Sequence, residues 1–480
     1  MTHWTDGTQQ PRAAETRFAA YLESIVAELG HAGRARSAQA YCTGLLLSGE
    51  RKSVEPMAAR MEPARVQAKH QSMHHVVAKA EWDDAAVLGA VRRCVLPAIE
   101  RHGPIAYWIV DDTAFPKKGK HSVGVARQYC GQLGKQDNCQ VAVSLSVANE
   151  HASLPIAYRL YLPPVWAEDA ARRAKAGIPD EVGFATKTAI ALEQIRQALA
   201  DGVPVGTVLA GPAYGNETTF RAGIAELGLR YVLGVQSSTT VWPPGTAPLP
   251  PRAKTRPSRG RPQTRLQRPP DQQPFSLKDL ALRLPKRARR TVSWREGSQG
   301  ALSSRFVARR VRPAHRDSAR SEPWPEEWLL IEWPTGEAAP TKYWLSNLPP
   351  RTALQSLVRA AKARWVIERD YQDLKQESGL GHYEGRGWRG FHHHASLCIA
   401  AYGFLVAERC LFPLTPASPH DGSRHLRYPK ASSRVVPVRP ERHVPHSIAS
   451  IHRCLTVGLI QLLPRCPCCL QKQHANARIL

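Results

Sequence analysis

The 480-residue chain contains no run of about eighteen apolar residues. That absence excludes a long hydrophobic membrane-spanning helix and makes a membrane partner unexpected. Met1 to Thr16 is polar and lacks the apolar stretch of a secretory signal. The ten cysteines are scattered rather than arranged as a disulfide framework, so reduced thiols and a cytoplasmic location are expected. Acid is the scarcer charge. Asp and Glu number 40 against 66 Lys and Arg, a formal charge of +26. Such a surplus makes a polyanion the default partner, because each neutralised phosphate releases a condensed counterion. The blander alternative is a ribosomal or membrane-surface protein. A 42% hydrophobic share with 12 Trp argues against a disordered basic tail.

Hydrophobic spacing divides the chain. Phe18, Tyr21, Leu22, Ile25, Val26 and Leu29 recur at helical intervals, as do Val87, Val91, Val95 and Ile99. Residues 1–16 are expected to be disordered and 17–103 to form a helical domain. From 104 to 238 the pattern alternates. Short apolar runs at Tyr107–Val110, Gln140–Val147 and Pro155–Leu162 predict strands. Helix, strand, helix and strand follow at 186–200, 205–210, 217–227 and 231–235. This is an α/β pattern, a mixed sheet flanked by helices. Residues 239–349 read as an insertion, with a Pro- and Arg-rich loop at 242–274 and then a β unit. Residues 350–411 hold two helices, the first running unbroken from Leu354 to Gly379. Residues 412–480 are a basic tail rich in Pro, His and Arg, with Ile448–Leu463 helical.

A strand that ends in carboxylates presents them at the sheet edge, where a divalent ion could bind. Asp111 and Asp112, followed by Thr113, occupy such a place. On the helix from Leu354, about 100° per residue puts Glu368, Tyr371 and Lys375 within about 40° of Arg364. A carboxylate between cations on one helix face can complete a metal site and steer a phosphate. An ordinary solvated face with an Arg–Glu pair would look the same.

The chain resembles the insertion-sequence DDE transposases with a Tyr-Arg-Glu-Lys signature, specifically group seven hundred and one. The matching stretches are IVDDTAFPKKGKHSVGVARQYCGQLGKQDNCQVAVSL, LPIAYRLYLPPVW, VLAGPAYGNETTFR, RWVIERDYQDLKQESGLGHYEGRGWRGF and RPERHVPHSIASIHRCL, in family order. The resemblance implies an RNase H-like fold, with a β-rich insertion and a helical N-terminal domain that binds DNA. It places the first catalytic acid on Asp111, with Asp112 next best, and the third on Glu368 within Arg364-x3-Glu368-x6-Lys375. Asp111 and Glu368 would hold Mg2+ or Mn2+ in a two-ion site. Arg364, Tyr371, Lys375, Arg386, Arg389, Lys117 and Lys118 would touch DNA. Ala361 stands where the signature has its Tyr. The second acid falls in a V-L-A-D-x-x-Y-G pattern, and here Gly211 takes the place of the Asp. Glycine brings no ligand to ions held about 3.5–4 Å apart, and Asp201 and Glu217 are poor substitutes.

The expected function is therefore DNA transposition by strand cleavage and transfer, impaired at Gly211. Partners would be double-stranded element ends and target DNA, with a homodimer on paired ends. The alternative is a non-catalytic DNA-binding relic or regulator of transposition; a third possibility is a generic RNase H-like nuclease. Gly385–Gly390 spells G-x-G-x-x-G but follows a helix, so a DNA-facing loop presenting Arg386 and Arg389 is expected instead of a dinucleotide site. His392, His393 and His394 are expected in a basic loop. Cys466, Cys468 and Cys469, even with His452 or His474, make a poor zinc pattern.

Overall fold

The computed structural model describes residues 13–251, 264–297, 300–411 and 447–467. Five helices open the described chain: α1 (Ala14–Val26), α2 (Ala32–Leu46), α3 (Val54–Met61), α4 (Val66–Ala78) and α5 (Asp84–Glu100). Both apolar stripes noted above are buried, and Val87, Val91, Val95 and Ile99 entirely so. Of the segment expected to be disordered, residues 1–12 lie outside the described residues. Helix α1 starts at Ala14 rather than 17, since Glu15 in its first turn complements the helix dipole and Arg17 pairs with buried Glu408.

The sheet begins with β1 (Tyr107–Pro116), β2 (Ala126–Cys130), β3 (Lys135–Ala148) and β4 (Ser153–Leu160). Strand β3 pairs with β1 antiparallel along one edge, while its other edge serves β2 and then β4. Spacing in the sequence missed β2, a half-exposed strand with little apolar signal. Short α6 (Pro164–Ala167) and α7 (Ala170–Ala176) lead into α8 (Lys187–Ala200), β5 (Thr207–Ala210), α9 (Pro212–Gly215), α10 (Thr218–Glu226) and β6 (Tyr231–Val235). Strands β1, β5 and β6 are parallel neighbours. The order β4-β3-β1-β5-β6, with three antiparallel strands followed by two parallel ones, is an RNase H-like sheet.

The insertion continues that sheet instead of standing apart from it. It comprises β7 (Thr240–Trp242), β8 (Phe275–Ser276), α11 (Leu277–Leu282), β9 (Arg290–Gly297), β10 (Gly300–Pro313), β11 (Glu327–Glu332) and β12 (Lys342–Ser346). Because β12 pairs with β6, one twelve-stranded sheet runs through both parts among the described residues. A separate apolar cluster, including Val241, Leu277 and Leu329, supports this extension. The expected loop at 242–274 is irregular where described, apart from a bridge between Leu249 and Gln267; residues 252–263 lie outside the described residues.

The helix expected to run unbroken from Leu354 to Gly379 is two helices, α12 (Leu354–Ala363) and α13 (Trp365–Gln376). No Gly or Pro lies at the break, which coincides with Arg364 turning onto Asp111. Next comes α14 (Trp388–Arg409), buried around nearly its whole circumference, as an evenly apolar helix must be. It packs between the N-terminal helices and β4, so α1–α5, the sheet and α13 share one hydrophobic core. His392, His393 and His394 belong to α14 and are buried, not in a basic loop. Their ring nitrogens are occupied: His392 accepts from the Leu160 N–H, His393 faces the Val77 and Trp82 carbonyls, and His394 meets Tyr41. Last among the described elements is α15 (Ile448–Gln461), the helix expected inside the tail. Residues 412–446 and 468–480, with Cys468, Cys469 and His474, lie outside the described residues.

Candidate functional site

Parallel pairing of β1 with β5 ends at Val110 opposite Ala210. The residue after each of these is Asp111, still within β1, and Gly211, just past the end of β5. Arg364, at the break between α12 and α13, reaches over this point. Its Nη1 donates to Asp111 Oδ2 at 2.7 Å and its Nη2 to Glu368 Oε1 at 3.1 Å. A Cβ built on Gly211 would have the Arg364 Cζ at 3.9 Å as its nearest neighbour outside the adjacent residues. One guanidinium thus stands among Asp111, Glu368 and residue 211.

The backbone of Gly211 has φ −78° and ψ 177°, ordinary extended geometry for any residue, at the N-cap of α9. Nearby Gly215 is different: a Cβ there would overlap the Gly234 carbonyl oxygen, so glycine is required for α9 to seat on β6. No such crowding demands glycine at 211.

Successive strand residues face opposite ways, and that separates the two acids. Asp111 faces Arg364, whereas Asp112 takes the Lys187 ammonium at 2.6 Å and the Tyr214 hydroxyl at 3.4 Å. Burial pushes the Asp111 carboxyl up to about 6, against the pull of Arg364 and with a push from Asp112. Neither Lys187 nor Tyr214 stood out in the sequence, although Tyr214 lies in the V-L-A-G-P-A-Y-G stretch.

Arg364, Tyr371 and Lys375 share a helix face as the spacing predicts, but that face lies on the sheet. Tyr371, expected to touch DNA, is buried between α13 and the sheet, with its hydroxyl bonded to Ser144, the β3 residue opposite Asp111. Burial, and then Asp111, hold its phenol well above the usual value. The Lys375 Nζ donates to the Ala114 carbonyl at 3.0 Å and to Gln132 Oε1 at 3.2 Å. Lys117 donates to the Tyr383 carbonyl at 2.7 Å, while Lys118 is exposed. Arg386 is exposed; Arg389 is tied to the Lys79 carbonyl at 3.0 Å and Glu81 at 2.9 Å. Asp201 sits at the far end of α8, held by Arg92 and Gln197, and Glu217 is the N-cap residue of α10.

Two hard-cation ions need several convergent oxygen ligands. Here Asp111 and Glu368 converge on a guanidinium, residue 211 has no side-chain oxygen, and its carbonyl already accepts from the Tyr214 and Gly215 N–H groups. Among the described residues no group of three or more His, Cys, Asp or Glu side chains could hold a metal ion. The residues present do not fit a two-ion centre. Nor, among them, is any helix long and apolar enough to cross a membrane.

Residues 25–301, more than half of the chain, match the family model described as DDE superfamily endonuclease. The chain is also 31% identical over 169 residues to a protein of Microchaete diplosiphon described as a probable transposase for insertion sequence element IS701. That match covers 35% of this chain and 41% of the relative, so it spans less than half of the relative's length. An RNase H-like sheet, an acid at the end of β1, and a helix bringing Arg364 and Glu368 over it agree with the family match: the chain belongs to the DDE superfamily endonucleases.

Proposed function

We propose that this protein binds DNA as a transposase of insertion-sequence type, and that its strand cleavage is impaired by glycine at residue 211. The observation that carries the proposal is the convergence of Asp111, Glu368 and residue 211 on Arg364, with a side chain missing from the third. In this reading Asp111 and Glu368 are two retained acids, and Asp112 is held apart by Lys187. Arg364 and Lys375 lie where a scissile phosphate would approach, and Lys117, Lys118, Arg386 and Arg389 extend the contact along the backbone. A chain that occupies element ends without cutting them would act as a regulator of transposition. Pairing of two copies on two ends belongs to the same reading and rests on the resemblance.

The test is cleavage of labelled duplex DNA carrying the ends of the host element, with Mg2+ or Mn2+, by wild type and Gly211→Asp. Residue 211 has room for a Cβ and no backbone strain, so the variant should fold normally. The expected result is comparable DNA binding by both proteins, with wild-type cleavage at least about a hundredfold slower, in line with losing one strong electrostatic contributor. Equal cleavage by the two would sink the impairment. Failure of either protein to bind DNA would sink the larger reading.

A further inference from the structure

The β2–β3 hairpin has no place in the chemistry above, yet it is seated beside the site. Its inner face buries Cys130, Cys139 and Val141 against Ala114, three residues beyond Asp111 and roughly 10 Å along the strand. Gln132 in its turn accepts from Lys375. The Asn138 amide donates to the Lys117 and Gly119 carbonyls at 2.6 and 3.0 Å, fixing the Lys117–Lys120 loop alongside. A hairpin anchored at three points is a rigid part.

Its other face is exposed and of a different character. Arg127 and Tyr129 alternate on one side of β2, and Tyr129 is 61% exposed. Leu133, at the tip, is 44% exposed. Exposed Lys135 follows the tip, and exposed Lys118 and Lys120 lie on the loop that Asn138, opposite Arg127, holds against β3; Asp137, the acid of this hairpin, pairs with Lys135 at 3.6 Å. An aromatic ring and an apolar tip set among cations suit unstacked nucleic-acid bases, which offer a flat face next to phosphate charge.

We propose that this tip is a base-stacking wedge for DNA with locally unpaired bases, with Tyr129 stacking on an unpaired base and Leu133 entering the adjoining step. The proposal rests on the DNA-binding reading above and adds the substrate form and the residues that recognise it. The full chain is titrated with two short labelled DNAs of the same sequence. One is fully paired; the other carries a small central mismatch bubble containing 2-aminopurine. Wild type should bind the bubble roughly tenfold more tightly and quench the 2-aminopurine, as expected for one stacked base. Tyr129→Ala should abolish preference and quenching while leaving duplex affinity unchanged, Leu133→Ser should reduce both, and Tyr129→Phe should keep both. Equal binding of the two DNAs by wild type, or an unaltered preference in Tyr129→Ala, overturns the wedge while leaving DNA binding intact. Binding to neither DNA overturns the underlying reading as well.

Discussion

Two carboxylates on or beneath α13 show how burial and charge compete at single residues. Asp373 is almost fully buried with Arg369 at 3.2 Å, yet burial outweighs that partner and pushes its carboxyl up to about 6. Asp111 is raised to the same value for the same leading reason. A carboxyl raised on folding holds its proton more tightly in the native state, so its contribution to stability is full below its ordinary value near 3.8 and is lost as pH rises through about 6. Asp373→Asn mimics the protonated form at every pH. Wild type should therefore gain stability relative to Asp373→Asn on going from pH 7 to pH 5, by on the order of 1–2 kcal/mol. Urea unfolding midpoints at the two pH values measure this, and a pH-independent difference would remove Asp373 as the titrating group.

At the scale of elements, helix α15 closes the core from a distant part of the chain. The His452 ring lies between Glu377 Oε2 at 2.6 Å and the Leu46 carbonyl at 2.8 Å, joining α15 to the end of α13 and to α2. Thr456 also donates to the Leu46 carbonyl, and buried Lys52 donates to the carbonyls of Leu45 and Glu377. Because Glu377 is held below the usual carboxylate range chiefly by His452, with Lys52 and Arg369 adding to it, removing the ring takes away its leading partner. His452→Ala should lower stability by on the order of 1 kcal/mol, the usual net worth of a lost hydrogen bond when the groups left behind keep other partners or solvent. A thermal melt indistinguishable from wild type would show that α15 is not a structural clasp. The break before α13 matters here too, since it lets Arg364 reach Asp111 while the far end of the helix meets α15.

For the whole molecule, the surplus of 66 basic over 40 acidic residues sets the expected behaviour toward DNA. Duplex affinity should fall with rising salt, with a slope of log K against log salt of about −0.9 for each phosphate neutralised. Replacing exposed Lys118 and Lys120 together by Ala should make that slope shallower by about 2, one unit per lost contact. Affinity measured across a salt series gives the number directly. An unchanged slope would place the phosphate track elsewhere on the surface. Continuity of the sheet from β4 through β6 to β10 makes the insertion part of the same rigid body as the acids. Contacts made by the insertion can therefore bear on the site without a hinge.

What the sequence by itself determined were the features that depend on neighbours along the chain. Apolar periodicity marked α1, α5, β5, β6 and α15, because helical and extended backbones repeat every 3.6 and 2 residues wherever they pack. Motif order pointed to Asp111, Glu368 and the glycine between them. Tertiary structure alone decided which way those residues face. A helical wheel groups Arg364, Tyr371 and Lys375 but does not say that their face meets the sheet, which buries Tyr371 on Ser144. Two adjacent aspartates are equivalent in a sequence; pleating sends Asp111 to Arg364 and Asp112 to Lys187. Three consecutive histidines look solvent-loving until α14 is enclosed on every side. Gly211 illustrates both halves. That a glycine stands where the resemblance expects an acid is legible in one line of sequence, while the open space beside Arg364 appears only when β1, β5 and α13 are brought together by contacts far apart in the chain.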